Sequence, residues 1–185
     1  MSLSHVLLTS LLEKPSTGID LAKRFDKSMG FFWNATHQQI YRELAQMLSK
    51  QWISTVVTQD SDARKKTYQV EPQGELELRA WIKKNSQPAK LRDELMVKLR
   101  AEAQLGGDTI LPELQRHLAL HRAQLALYQK ILQKDQQKAQ QQPLRTFLIQ
   151  QKILELGIEF EIGWIKWLEQ MIVLIQAHPT QQPQG

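Results

Sequence analysis

The sequence contains no cysteine. This absence excludes disulfide bonds, thiol catalysis and cysteine-ligated zinc sites, and it fits a reducing compartment. Residues 1–15 show neither a positively charged start nor a small-residue cleavage pattern, so they do not resemble a secretion signal. We therefore expect a cytoplasmic protein.

A long uninterrupted apolar run is also absent. The most apolar stretch, residues 162–175, is broken by Lys166, Glu169 and Gln170 and falls short of the ~20 apolar residues that a membrane-spanning helix needs. The charge bias is small, because 24 basic residues face 19 acidic ones for a net charge of +5. Such a bias suits a polyanionic partner without identifying it. We expect no membrane partner.

Signatures of catalysis are missing as well. The sequence has no Ser-His-Asp signature and no glycine-rich phosphate loop. Glu113, His117 and His121 follow one another at intervals of four residues, so they could approach one helix face and bind zinc. The metalloprotease pattern needs Glu directly after the first His, where Leu118 stands, and structural histidines are therefore favoured. We predict no enzyme, no cofactor and no metal site.

Residues 1–87 follow the order of a winged helix. Apolar residues recur at helical spacing in three segments: 2–13, 17–30 and 36–50. Two β-branched segments, 52–58 and 66–70, then flank a charged break, which predicts a hairpin with a projecting wing. Pro72 begins a fourth helix. The predicted apolar side of that helix is Leu76, Leu78, Trp81 and Ile82.

Residues 88–185 are predicted to be helical. A coiled-coil-type seam alternates steps of three and four residues between Leu111 and Leu132, and a strongly apolar helix follows from Leu144. A bundle closing on itself is one alternative, but two long helices without a third layer leave apolar faces exposed, which favours a homodimer. The predicted dimer contacts are Leu111, Leu114, Leu118, Leu125, Tyr128, Leu132, Trp164 and Leu168.

The third predicted helix presents polar and cationic side chains near its start, the end that enters the major groove of DNA in helix-turn-helix proteins. Glutamine can pair with adenine through two hydrogen bonds, and arginine can pair with guanine in the same way. The candidates for base contacts are Gln38, Gln39 and Arg42, beside the outward-facing His37, and Thr36 is the candidate for a phosphate contact. An ordinary solvated helix face is the alternative.

Two further groups of residues are candidates for contact with the DNA backbone. Tyr41 can reach a phosphate through its hydroxyl or pack against Trp33, and the sequence leaves both open. The wing cations can reach a phosphate or the minor groove, although a solvated charged loop is the simpler alternative. These cations are Arg64, Lys65 and Lys66.

Taken together, these segments resemble the PadR family of transcriptional regulators, in particular members with a virulence-activator-like helical C-terminal domain. The segments that carry the resemblance are 4–8, 15–21, 32–44, 64–68, Gly74, 92–95 and 98–99. Two positions depart from the family pattern, because Ile19 replaces an aromatic residue and Gln51 replaces a glycine before the first strand. The resemblance implies a mainly α protein with a winged helix-turn-helix at 1–87 and a long-helix dimerisation domain at 88–185.

The function implied is that of a dimeric, operator-binding transcriptional regulator that reads a palindromic site in double-stranded DNA. The alternative is a non-catalytic adaptor, in which the winged helix and the long helices both contact proteins. A small apolar effector could also bind near Phe160, Trp164 and Trp167, as some regulators of this family respond to phenolic molecules. Aromatic residues at helical spacing are more often part of a core.

Overall fold

The computed structural model describes residues 2–27, 35–57, 66–88, 92–107, 109–136 and 143–178. The chain forms two compact units, Met1–Ala89 and Lys90–Gly185. The predicted fold class is confirmed, since the described residues are mainly helical with one small antiparallel sheet. Within these ranges, no helix combines the length and the apolar character that crossing a membrane requires.

The N-terminal unit has its helices where the sequence predicts them. In chain order, its elements are α1 (Leu3–Glu13), β1 (Ser16–Thr17), α2 (Gly18–Lys27), α3 (His37–Ser49), β2 (Ile53–Val57), β3 (Lys66–Val70) and α4 (Pro72–Ile82). The strand β1 was not predicted. It pairs antiparallel with β3, which turns the predicted hairpin into a three-stranded sheet of order β1-β3-β2.

One hydrophobic core holds this unit together, with contributions from all four helices and from β2. Its buried members are Leu7, Leu8, Leu11, Leu21, Ala22, Ile40, Leu44, Met47, Ile53 and Leu78. Removing water from such aliphatic side chains is the main stabilising contribution to a fold of this kind. The core fixes α3 against α1 and α2, so the outward face of α3 is held in a defined position.

The apolar side predicted for α4 is partly wrong. Leu76 and Ile82 are 60% and 68% exposed, whereas Gly74 and Leu78 are buried. A side chain at Gly74 would place its Cβ 2.2 Å from the carbonyl oxygen of Trp52. The first turn of α4 therefore packs directly against the backbone before β2, and this close approach rotates Leu76 and Ile82 towards solvent.

The end of α3 is closed by backbone hydrogen bonds around Gln51. The Gln51 amide donates to Leu48 O and the Trp52 amide donates to Met47 O, both at 3.0 Å, which is the Schellman arrangement. Gln51 has a φ of 57°, in the left-handed region that favours glycine. Gln51, which stands where the family pattern has a glycine, thus adopts the backbone conformation that glycine would adopt.

The C-terminal unit is built from α5 (Glu94–Leu105), α6 (Leu111–Gln136) and α7 (Leu144–Ala177). The side chain of Asp93 begins α5 by accepting hydrogen bonds from two backbone amides of its first turn. His121 of α6 meets Glu161 of α7, and Tyr128 lies over Gly157, so the two long helices run antiparallel. The buried core of this unit is Leu95, Ile110, Leu114 and Leu168.

Candidate nucleic-acid interface

The start of α3 is fixed by a reciprocal pair of hydrogen bonds. Thr36 Oγ1 accepts from the backbone amide of Gln39 at 3.2 Å, and Gln39 Oε1 accepts from the backbone amide of Thr36 at 2.8 Å. This capping box satisfies two amides that would otherwise lack partners at a helix N terminus. The first turn of α3 therefore projects as an ordered surface.

The two faces of α3 differ sharply in burial. Ile40, Leu44 and Met47 are buried in the core. The side chains predicted to contact DNA lie on the other side and are exposed: Thr36, His37, Gln38, Gln39 and Arg42. The structure thus brings all five together on one polar surface of one helix.

Tyr41 joins this surface to α2. A Cβ added at Gly18 would lie 2.5 Å from Tyr41 Cε1, so the ring lies directly over the Gly18 backbone and leaves no space for a side chain. The ring is still 43% exposed. Trp33, the other packing partner considered, lies outside the described residues. Tyr41 therefore packs against α2 while part of its surface remains available to a ligand.

The hairpin lies close to the same region through β1. Thr17, next to Gly18, pairs with Thr67 of β3, and the neighbouring Lys66 is exposed at the start of β3. Lys66 also pairs with Val57, where β2 ends. Two other wing cations, Arg64 and Lys65, lie outside the described residues.

The C-terminal unit holds the residues predicted to form a dimer. Within one chain, Leu114 and Leu168 are 0% exposed and Tyr128 is 8% exposed. The other predicted residues are partly buried: Leu111, Leu118, Leu125, Leu132 and Trp164. Leu114 of α6 and Leu168 of α7 belong to one buried cluster, so the seam of α6 packs on α7 of the same chain. Side chains without accessible surface cannot bury more against a partner. Leu114 and Leu168 have no surface left for a second chain, and a dimer contact through the other residues of the set stays a prediction.

Glu161 was not singled out from the sequence, although it is buried between the two long helices. Its Oε2 lies 2.5 Å from His121 Nδ1, and the His121 ring stacks on Trp164 with centroids 5.0 Å apart. Trp164 in turn contacts the edge of Trp167 at 5.5 Å. The two tryptophans considered for an effector site thus pack on their neighbours. No local pattern could have found Glu161, because its partner is on another helix.

The glutamate and histidines considered for zinc are engaged with other groups. Arg116 donates two hydrogen bonds to Glu113, at 2.8 and 2.9 Å, and holds the pKa of that carboxyl at about 2. His117 lies 3.3 Å from the same carboxylate, whereas His121 turns towards Glu161. Among the residues that the structure describes, no group of three His, Asp or Glu side chains could hold a metal ion.

Exposed apolar side chains lie along one side of the first half of α7. They recur at intervals of one, three or four residues, so they form a continuous stripe. We call this set the α7 stripe: Leu144, Leu148, Ile149, Ile153, Leu156 and Phe160. Each is at least 46% exposed, and all but Phe160 line one groove.

The fold and these surfaces define a winged-helix protein with a long-helix C-terminal unit. A model of the PadR-like family of transcriptional regulators matches residues 7–80, and a model of the virulence activator alpha C-terminal region matches residues 91–176. Together the two models cover most of the chain, and they support its assignment to the PadR family of transcriptional regulators.

Relatives in two bacteria support this assignment. A probable transcriptional regulator of Mycobacterium tuberculosis is 45% identical over 91 residues, which are 49% of this chain and about half (48%) of that protein. The structure of Bacillus subtilis PadR in complex with operator DNA is 26% identical with a TM-score of 0.78, over 94% of this chain and 97% of that one.

Two other solved structures resemble the chain over nearly its whole length. The virulence activator AphA of Vibrio cholerae is 26% identical with a TM-score of 0.73, over 95% of this chain and 99% of that one. The B. subtilis PadR structure in complex with p-coumaric acid is 25% identical with a TM-score of 0.70, over 94% of this chain and 95% of that one.

Proposed function

We propose that this regulator binds operator DNA as a homodimer, with the exposed start of α3 in the major groove. The observation that carries the proposal is the polar outward face of α3, held at its N terminus by the Thr36–Gln39 capping box. Helix N termini attract phosphate, and glutamine and arginine recognise base edges. The complex of B. subtilis PadR with operator DNA supports the same role for this chain.

The hairpin and Tyr41 would add contacts to the DNA backbone. Lys66 is exposed at the start of β3, and Tyr41 keeps part of its ring exposed beside α2. A cation close to phosphate gains affinity whatever the base sequence, and this contribution decreases as salt increases. We assign Arg64 and Lys65 to the same role from their places in the sequence.

The α7 stripe is the surface that we assign to the dimer. Six large apolar side chains along one helix are a costly surface to leave in water, and a second copy of the chain offers the same stripe for an isologous contact. The partly buried seam residues would border this contact. Two linked units can place their recognition helices roughly 34 Å apart, as a palindromic operator requires.

We further propose that the protein acts by binding alone, in the cytoplasm, where bacterial operators are found. A small phenolic or apolar effector would regulate it, and the complex of B. subtilis PadR with p-coumaric acid supports this idea. No catalytic step is needed for such a role, because effector binding can change the population of the DNA-binding conformation.

Selective binding to duplex DNA tests the proposal. Purified protein would be titrated against genomic fragments, including the region upstream of its own gene, at two salt concentrations. We expect one fragment to be bound selectively, and Arg42→Ala to weaken that binding. Arg79→Ala, which removes an exposed cation from α4, is the matched control and should bind like the wild type.

Weak binding that shows no preference and disappears at modest salt would contradict the proposal. The titration is repeated with a phenolic acid present, since a ligand requirement would otherwise conceal binding. If no duplex is selected under either condition, the adaptor becomes the better explanation.

A further inference from the structure

The two adjacent glutamines at the start of α3 have different surroundings. We propose that Gln38 and Arg42 read the bases, whereas Gln39 is a positioning residue that holds the helix start in place. This division rests on the proposed operator binding. It goes beyond the sequence pattern, which makes Gln38 and Gln39 equivalent candidates.

The capping box restricts what Gln39 can do. Its Oε1 is already the acceptor for the backbone amide of Thr36, at 2.8 Å. Bidentate recognition of adenine requires the oxygen and the nitrogen of one carboxamide at the same time. In the capping box the Gln39 carboxamide lies against the Thr36 amide, so pairing both its groups with one adenine would require the side chain to turn away from the helix start.

Gln38 and Arg42 carry no such restriction. Both are exposed, and neither has a hydrogen-bond or ion-pair partner within the part of the chain that the structure describes. They are four residues apart, so they lie on the same side of α3, separated by about 6 Å along its axis. Both side chains therefore have all their donors and acceptors available to DNA.

This spacing makes a prediction about the operator. Base pairs are spaced about 3.4 Å apart along B-DNA, so side chains about 6 Å apart reach positions within about two base-pair steps of each other. Gln38 prefers adenine and Arg42 prefers guanine by the geometry of their donors and acceptors. We therefore expect each half-site to contain an adenine and a guanine within two steps, one for each residue.

The test compares base preferences among single variants. The selected operator fragment is mutated one base pair at a time, and affinities are measured for the wild type, Gln38→Ala, Gln39→Ala and Arg42→Ala. We expect Gln38→Ala to reduce the preference for adenine at one position by about 5- to 150-fold. Arg42→Ala should reduce the preference for guanine at another position by a similar factor. Gln39→Ala should weaken all these duplexes by a similar factor.

Gln39→Glu is the matched control for the positioning role. Glutamate in this place can still accept from the Thr36 amide and complete a capping box, but it cannot donate to adenine. We expect Gln39→Ala to lower the midpoint of thermal unfolding and Gln39→Glu to restore it. Gln38→Ala should leave the midpoint unchanged.

The outcomes separate this assignment from the function on which it rests. If the wild type selects no duplex, the proposed operator binding fails and the assignment fails with it. If the wild type is selective but Gln39→Ala, and not Gln38→Ala, removes the preference at one base, operator binding stands and the assignment is overturned. An unchanged unfolding midpoint for Gln39→Ala would also overturn the positioning role.

Discussion

The two units of the chain bury their apolar side chains to different extents. Among the described residues, ten buried hydrophobic side chains from four helices and a strand form the N-terminal core, but only four form the C-terminal core. The long helix α7 instead leaves a stripe of apolar side chains in water. The first unit thus has one core shared by all its helices within a single chain, and we infer that the second requires another surface to cover its stripe.

Both units contain the same arrangement of three side chains. In each unit a histidine stacks on a tryptophan and faces a glutamate of the adjacent helix: His5 with Trp81 and Glu77, and His121 with Trp164 and Glu161. The Glu77 side chain is 30% exposed, whereas the Glu161 side chain is 8% exposed. The same three residue types therefore form a partly buried contact in both units, and the glutamate is the member that differs in burial.

The largest expected effect is on assembly. Leu148→Asp places a charge in the centre of the α7 stripe, where a second chain would have to bury it without a partner. We expect the dimer to weaken by at least about a hundredfold, because such an uncompensated charge costs several kcal/mol. Sedimentation velocity over a range of protein concentrations measures this change.

Val97→Asp is the control for that experiment, since Val97 is 67% exposed on α5 and lies outside the stripe. It should assemble like the wild type. If Leu148→Asp folds and still sediments as a dimer at the same concentrations, the stripe is not the dimer contact.

The two histidine–glutamate contacts should differ in their effect on stability. We expect Glu161→Ala to lower the free energy of unfolding by about 2 kcal/mol, because it removes a hydrogen-bonded carboxylate that is only 8% exposed. Glu77→Ala removes a more exposed carboxylate and should cost about 0.5 kcal/mol. Urea unfolding followed by circular dichroism and tryptophan fluorescence compares them, and equal losses would show that the difference in burial has no energetic consequence.

The smallest effect concerns the end of α3. Gln51 adopts a left-handed φ of 57°, which is unfavourable for any residue with a Cβ. We expect Gln51→Gly to stabilise the N-terminal unit by about 0.5–1 kcal/mol, since relief of this strain exceeds the added freedom of glycine in the unfolded chain. Thermal unfolding measures the change. Gln51→Ala keeps the strain, so a similar gain from alanine would contradict the explanation.

Much of the N-terminal unit could be predicted from the sequence, because its helices have clear periodicity and local signals at their ends. Thr17 accepts from the Asp20 amide at the start of α2, and Thr36 does the same for α3. The strand β1 could not be predicted, since two residues have no periodicity and its partner β3 is distant in the sequence. The rotation of α4 depends on the close approach at Gly74, which apolar spacing does not reveal.

The sequence was less informative about the C-terminal unit. A heptad pattern shows that one face of α6 is apolar, but not which helix covers that face. Here α7 of the same chain covers Leu114 and Tyr128. At the proposed DNA surface, the exposed face of α3 was predicted, whereas the hydrogen bond between Gln39 and the Thr36 amide was not. The signal was present, because threonine followed three residues later by glutamine is a capping-box pattern.

The central claim is that one unit binds DNA and the other forms the dimer. The mass of the DNA complex tests this claim most directly. Sedimentation equilibrium of the selected duplex with increasing protein gives the number of chains bound. We predict two chains per duplex for the wild type, and much weaker, unpaired binding for Leu148→Asp with its fold intact. One wild-type chain per duplex at saturation, or unchanged paired binding by the variant, would contradict the account.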